Sequence, residues 1–216
     1  MTEVVLHGYH RSSAAFRVRI ALNLKHIEYE NRTYQLRRGE QRAPSYLKLN
    51  AQGLVPTLEI DGLALTQSLA IIDYLDNTRP EPSLRPTLLK DRARVNALAQ
   101  IIASDIHPID NLRVLQYLRT EFKHPEEDIR NWYRHWIETG FEAFESQIAP
   151  VYKPGNFCCG KQPTVADVCL IPQVINALNY SLDLEQYPTI QSVFRTAMES
   201  TAFKQALPER QPDAQS

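Results

Sequence analysis

Three closely spaced prolines, Pro80, Pro82 and Pro86, divide this 216-residue chain into two stretches with different periodicities. Proline locks φ and removes a backbone donor, so the segment 77–86 reads as a linker. Before it, short apolar runs alternate with helical patterns. Residues 4–6 read as a strand. Residues 13–25 read as a helix, with Phe16, Ile20 and Leu24 at i, i+4 and i+8 on one face. Residues 33–36, 56–60 and 63–65 read as further strands, the last two joined by the turn signal Asp61-Gly62. Gln67-Ser68 then opens a second helix through Ile71, Ile72, Tyr74 and Leu75. A β-α-β followed by β-β-α predicts a small mixed sheet with helices packed on it. After the linker no strand pattern of similar strength recurs, and 90–117, 125–148, 164–179 and 190–202 are helical in period. The expectation is an α/β domain over 1–84 and an all-α domain over 90–214, with a polar, frayed tail from 208.

Composition excludes several classes. The formal net charge is −1, which is no electrostatic footprint for nucleic acid. The apolar runs are too short to span a membrane, and the first residues lack the pattern of a signal peptide. Cys158, Cys159 and Cys169 are odd in number with two adjacent, a poor disulfide framework. They read as reduced thiols of a cytoplasmic protein. The histidines are scattered without metal-ligand spacing, so no metal site is expected. Thr164-Val165-Ala166-Asp167 has the spacing of a capping box, a structural role.

Function is most legible at Arg11-Ser12-Ser13-Ala14-Ala15-Phe16-Arg17-Val18-Arg19-Ile20-Ala21-Leu22. Two serines fall where the first helix begins. Free N–H groups and a partial positive charge make that a natural anion site. Simple helix capping is the alternative for both serines. Ser68 is likewise an N-cap candidate. Arg17 and Arg19 read as solvent or ion-pair residues, and Arg11 as available to an anion.

The Ser12-Ser13-x-x-Phe16-Arg17-Val18-Arg19-Ile20-Ala21-Leu22 run is similar to the SSCxWRVRIAL signature of zeta-class glutathione S-transferases. Leu54-Val55-Pro56-Thr57-Leu58 resembles their VPTL segment, and Thr66-Gln67-Ser68-Leu69-Ala70-Ile71-Ile72 their QSLAI helix start. Asp105-Ile106-His107-Pro108 with Asn111-Leu112, the 167–173 and 186–190 stretches, and Arg210-Gln211-Pro212-Asp213 match later segments of bacterial members. The motifs occur in the family's order and cover essentially the whole chain. The resemblance implies a thioredoxin-like glutathione-binding domain followed by an all-helical substrate-binding domain. It also implies a cytoplasmic homodimer acting on a small molecule.

Site residues follow from that resemblance. Val55 before Pro56 would meet the peptide of glutathione through a cis bond, a form taken by only about 5–6% of X–Pro bonds in folded proteins. Gln67 and Ser68 would hold the glutamyl carboxylate, and Gln41 the glycyl end, with Gln52 a weaker candidate. Ser12 is the family's donor to the thiol, with Ser13 the adjacent alternative. Lowering a thiol pKa by roughly 1.5–2 units requires about 2–3 kcal/mol, within reach of a hydroxyl donor at a helix N-terminus. His107, Asn111 and Arg113 would contact glutathione from the helical domain, His107 and Asn111 sharing one helical face.

The implied activity is glutathione-dependent cis–trans isomerisation of maleylacetoacetate in aromatic amino-acid catabolism, or of maleylpyruvate. A transferase or dehalogenase acting on small α-halo acids, and a weakly catalytic glutathione-binding protein, are the alternatives. Two positions depart from the family pattern. Ala14 replaces the cysteine of SSC, so glutathione must carry the only sulfur of that stretch. Asn179 stands where an arginine commonly meets the substrate carboxylate, and it cannot form a guanidinium fork. That leaves Arg11 as the candidate for that contact or for the charge developed on addition.

Overall fold

The computed structural model describes residues 4–215. These fall into two compact units, Met1–Ser83 with Ser200–Ser216, and Leu84–Glu199. The expected second domain, 90–214, is thereby corrected: its last segment belongs with the first unit. The described part of the tail, through Gln215, is not frayed: two short 3-10 helices, Pro208–Arg210 and Pro212–Gln215, form there, and Gln211 and Asp213 are buried.

The first unit is built on a four-stranded sheet in the order β2-β1-β3-β4, with β1 Val5–Gly8, β2 Glu30–Thr33, β3 Thr57–Ile60 and β4 Leu63–Thr66. β1 and β2 are parallel, and β3 is antiparallel to both β1 and β4. β2 lies earlier than expected, and residues Leu36–Arg38 form a 3-10 turn instead. Helix α1, Ser13–Leu24, buries nearly every side because the sheet takes one face while α3, Ser68–Thr78, and α9, Thr201–Ala206, take others. The short α2, Pro44–Leu47, precedes β3.

Arg17 and Arg19 are buried, 2% and 1% exposed, and not at the solvent face expected of them. The reason for Arg19 is the returning tail. Its Nε donates to the Ala206 carbonyl at 3.0 Å and its Nη2 to the His10 carbonyl at 3.0 Å. Desolvation lowers the Arg19 guanidinium to about 10, against the pull of Tyr29 and Asp213.

In the second unit the expected helix 90–117 is broken. It becomes α4 Leu89–Gln100, a π-helical turn Ile101–Ile106, and α5 Leu112–Thr120. Pro108, just after the π turn, has no N–H to continue a helix, and the chain leaves the helical path there before α5 begins. α6, Glu126–Ile148, passes that π turn, and a Cβ at Gly140 would lie 2.2 Å from Ile106 Cδ1. α7, Val165–Asn179, is buried on almost all sides and forms the centre of the unit. Its N-terminus carries the expected capping box. The Asp167 carboxylate accepts the Thr164 N–H and hydroxyl at 2.8 and 2.9 Å, and the Cys158 N–H at 2.7 Å. The stretch expected to be helical over 190–202 is split into α8, Pro188–Ala197, and α9. No helix among the described residues is long and apolar enough to cross a membrane.

Candidate active site

Register places the candidate residues of the first unit at one edge of the sheet. His7, Thr57 and Thr66 stand in line across β1, β3 and β4. Beyond that row lie the Tyr9–Ser12 turn, the Leu54–Pro56 segment that enters β3, and the Gln67–Ser68 start of α3. Ser12, Val55, Pro56, Gln67 and Ser68, far apart in sequence, are therefore brought to one edge by strand pairing alone.

Ser12 is the N-cap of α1, and its Oγ accepts the Ala15 N–H at 3.2 Å. A hydroxyl has two acceptor lone pairs and one donor, so capping leaves the Ser12 hydrogen to be given to an anion. The first turn of α1 holds no acidic residue that would neutralise its positive end. Ser13 is the first helical residue and is buried, while Ser12 is half-buried. Ser12 is thus the more exposed of the two serines. Arg11 is exposed beside them.

The Val55–Pro56 peptide is cis. Leu54, immediately before it, has its carbonyl held twice, by the Tyr46 hydroxyl at 2.6 Å and by Asn50 Nδ2 at 2.8 Å. The Tyr46 hydroxyl also lies 3.0 Å from Thr57 Oγ1. Burial raises the Tyr46 phenol, which keeps it a donor.

Gln67, the N-cap of α3, sits at φ 68°, ψ 113°. A non-glycine residue at such an angle is held there by its surroundings, and such residues cluster at ligand sites. Its Nε2 donates to Gln52 Oε1 at 2.9 Å, joining the stronger candidate to the weaker one. Ser68 is buried, and Arg17 Nη1 donates to its Oγ at 3.4 Å. The first turn of α3 also lacks acidic residues. The edge thus presents two helix N-termini, two serine hydroxyls and a buried guanidinium, a set suited to an anionic peptide with more than one negative group.

Gln41 lies in a 3-10 turn, Glu40–Arg42, of the same unit. Its Nε2 donates to the Leu36 carbonyl at 3.4 Å, and its Oε1 is buried without a partner among the described residues. A buried orphan acceptor is the signature of a missing donor.

In the second unit His107 follows the π turn and Asn111 caps α5, its Oδ1 accepting the Arg113 N–H at 3.2 Å. Asn111 Nδ2 approaches His107 Nε2 at 3.5 Å, so the two side chains meet as expected. They do so across the Pro108 break and not along one helix. Arg113 is exposed on the first turn of α5, and Asn179 is exposed at the end of α7. Among the described residues no group of His, Cys, Asp or Glu is arranged to hold a metal. Sequence reasoning missed Asp110, a buried carboxyl beside Asn111 with no hydrogen-bond partner among the described residues. It also missed the link between Asp213 and His10; neither carries a local pattern.

Comparison with known proteins places the chain in a family. Residues 6–83 match the family model described as glutathione S-transferase, N-terminal domain. The chain is 49% identical to a probable maleylacetoacetate isomerase of Vibrio cholerae, the alignment covering 99% of this chain and 100% of that one. A holo structure of maleyl pyruvate isomerase, a bacterial zeta-class glutathione S-transferase, superposes with a TM-score of 0.94 at 42% identity, over 97% of this chain and 99% of that one. A maleylacetoacetate isomerase from Methylobacterium extorquens AM1 with bound malonate and GSH gives 0.92 at 40% identity, over 96% and 98%. By fold and by these likenesses, the chain belongs to the zeta-class glutathione S-transferases, in the maleylacetoacetate isomerase family.

Proposed function

We propose that this protein is a glutathione-dependent cis–trans isomerase that converts maleylacetoacetate to fumarylacetoacetate in aromatic catabolism. The observation that carries the reading is Ser12: a hydroxyl that caps α1 through its oxygen and keeps its hydrogen for an anion, at a helix whose first turn holds no acidic residue. Ala14 beside it supplies no sulfur. The residues present fit glutathione. Ser68 and the N-terminus of α3 suit its glutamyl carboxylate, the Val55 main chain its peptide, and the buried Gln41 oxygen a donor near its glycyl end. The family resemblance adds His107, Asn111 and Arg113 as further proposed cofactor contacts.

When bound, glutathione supplies a thiolate that adds reversibly to the activated double bond, which turns as a single bond before the sulfur leaves. Ser12 stabilises that thiolate by donating its hydrogen, and the α1 dipole adds to the effect. Arg11 is the cation of this chain nearest in sequence to Ser12, and it serves the substrate carboxylate or the charge that develops on addition. No proton need be stored on a protein nucleophile, so the chain's task is to orient and to stabilise charge.

Maleylpyruvate is the second reading, favoured by the likeness to a maleyl pyruvate isomerase at a TM-score of 0.94. The assay follows loss of each substrate with glutathione in catalytic amount, for the wild type and Asn179→Arg. Turnover without loss of glutathione supports isomerisation. Stoichiometric consumption would make the protein a transferase, and failure to bind glutathione at all would sink both. We also propose a cytoplasmic homodimer. Cys158, Cys159 and Cys169 form no disulfide among the described residues, which fits a reducing compartment, and analytical ultracentrifugation tests the dimer.

A further inference from the structure

The turn that delivers Ser12 is held from outside the sheet. The Ser12 N–H bonds the Tyr9 carbonyl at 2.9 Å, and that carbonyl also accepts from Arg19 Nη1 at 3.4 Å. The backbone of His10 between them is held through both its carbonyl and its N–H. Its carbonyl accepts Arg19 Nη2 at 3.0 Å, and its N–H donates to Asp213 Oδ2 at 2.9 Å. The same carboxylate oxygen lies 3.2 Å from the His10 ring Nδ1. Both side chains are largely buried.

Asp213 is itself anchored. Gln211, two residues earlier, donates through Nε2 to the Gln205 and Leu207 carbonyls at 2.9 Å each, and its Oε1 accepts from Asn31 on β2 at 3.3 Å. Asn23 on α1 donates to the Ala202 carbonyl at 2.9 Å. The end of the chain is thus tied to α1 and β2 by side chains, and it places a carboxylate against the peptide two residues before Ser12.

We infer that Asp213 is a positioning residue for the reaction: its carboxylate fixes the His10 peptide and thereby the direction in which the Ser12 hydroxyl points. This rests on the reading of Ser12 as the donor to the thiolate. An N–H bond to a carboxylate is charge-assisted and short, so it constrains angle as well as distance. A donor misaimed by about 1 Å can cost a factor near 100 in rate, so a remote anchor of this kind is visible in turnover.

The experiment compares wild type, Asp213→Ala, Asp213→Asn and Ser12→Ala by steady-state kinetics and by ultraviolet titration of the bound thiolate. Each variant is first shown folded by circular dichroism. Asp213→Ala is expected to lower kcat about tenfold and to raise the pKa of the bound thiol. The KM for glutathione should change little, because Gln67, Ser68 and Val55 are untouched. Asp213→Asn keeps an oxygen for the His10 N–H and is expected to restore most of kcat. A merely structural Asp213 would lower thermal stability and leave the thiol titration where it was, which overturns the proposal. Should Asp213→Ala not fold, Asp213→Glu decides the question. It keeps the charge and shifts the oxygen by one methylene, and wild-type kcat and thiol titration in that variant overturn the proposal. Ser12→Ala separates the two levels. If it leaves the bound thiolate unchanged, the reading of Ser12 fails and the role of Asp213 falls with it. If it abolishes the thiolate while the Asp213 variants match wild type, the Asp213 proposal alone is wrong.

Discussion

Ser12 Oγ accepts the Ala15 N–H at 3.2 Å, so one side chain caps α1 and keeps a hydrogen to donate. The two duties separate by substitution. Ser12→Ala removes both, and is expected to cost about 1 kcal/mol of stability together with a drop in kcat of about 10²–10³. Ser12→Asp retains a good cap but sets a negative charge against the thiolate. It should unfold at or above the wild-type temperature and be as inactive as the alanine variant. Thermal melts beside initial rates decide this, and an active Ser12→Asp enzyme would remove Ser12 from the proposed chemistry.

Gly140 on α6 lies where a Cβ would sit 2.2 Å from Ile106 Cδ1 and 2.4 Å from Ile106 Cγ1. Ile106 ends the π turn that leads into His107, and it is buried. Gly140→Ala should therefore destabilise by about 1–3 kcal/mol through overpacking, although alanine is the better helix former. Ile106→Ala removes the obstructing atoms, so the double variant should be more stable than the sum of the single changes requires. Urea unfolding of the four proteins measures that coupling. Additive effects would show that the two residues do not meet.

The parts of this molecule legible in its sequence are those whose signals are local. The Asp61-Gly62 hairpin, the serine at the start of α1 and the Thr164–Asp167 box each rest on residues a few positions apart, and each appears as expected. β2 was displaced because Glu30-Asn31-Arg32-Thr33 is a polar edge strand without apolar alternation. Arg17 and Arg19 read as solvent residues because what buries them is not local: for Arg19 it is a carbonyl of Ala206, nearly the whole chain away. Pro108 carries a break signal that the reading of 90–117 as one helix passes over, and the π turn before it has no residue signature. In the site, the family motifs marked Ser12, Gln67 and Ser68. The partners that hold them, Asp213 and Arg19 around the Ser12 turn and Tyr46 and Asn50 behind Val55, are visible only once the chain is folded.

Lys25 closes the first unit by giving all three ammonium hydrogens to acceptors. Nζ lies 2.6 Å from Asp76 Oδ1, 2.8 Å from the Arg79 carbonyl and 2.7 Å from the Pro82 carbonyl. Removing one partner of a buried pair strands the other charge, so Asp76→Ala should cost about 3–5 kcal/mol. Replacing both ends with apolar residues, Lys25→Met with Asp76→Leu, should recover much of that loss. Denaturant midpoints of the single and double variants test the claim. A double variant as unstable as the worse single one would show that the carbonyl contacts, and not the charges, hold this corner.

Asp110 is 6% exposed, and neither carboxyl oxygen has a hydrogen-bond partner among the described residues. Burial pushes its pKa up to about 8, whereas an unfolded aspartate titrates near 3.9. Between those pH values the folded chain holds a proton that the unfolded chain has lost. Stability from this group is therefore complete below about pH 4, declines as pH rises, and stops declining above the folded pKa. Each unit of that upward shift corresponds to about 1.4 kcal/mol. Asp110→Asn mimics the protonated carboxyl and carries no titration, so it should match wild type in acid and exceed it at pH values near and above neutrality. Denaturant midpoints taken across this range give the comparison. Parallel pH profiles for the two proteins would mean that Asp110 is ionised in the folded state, and that a donor reaches it in solution.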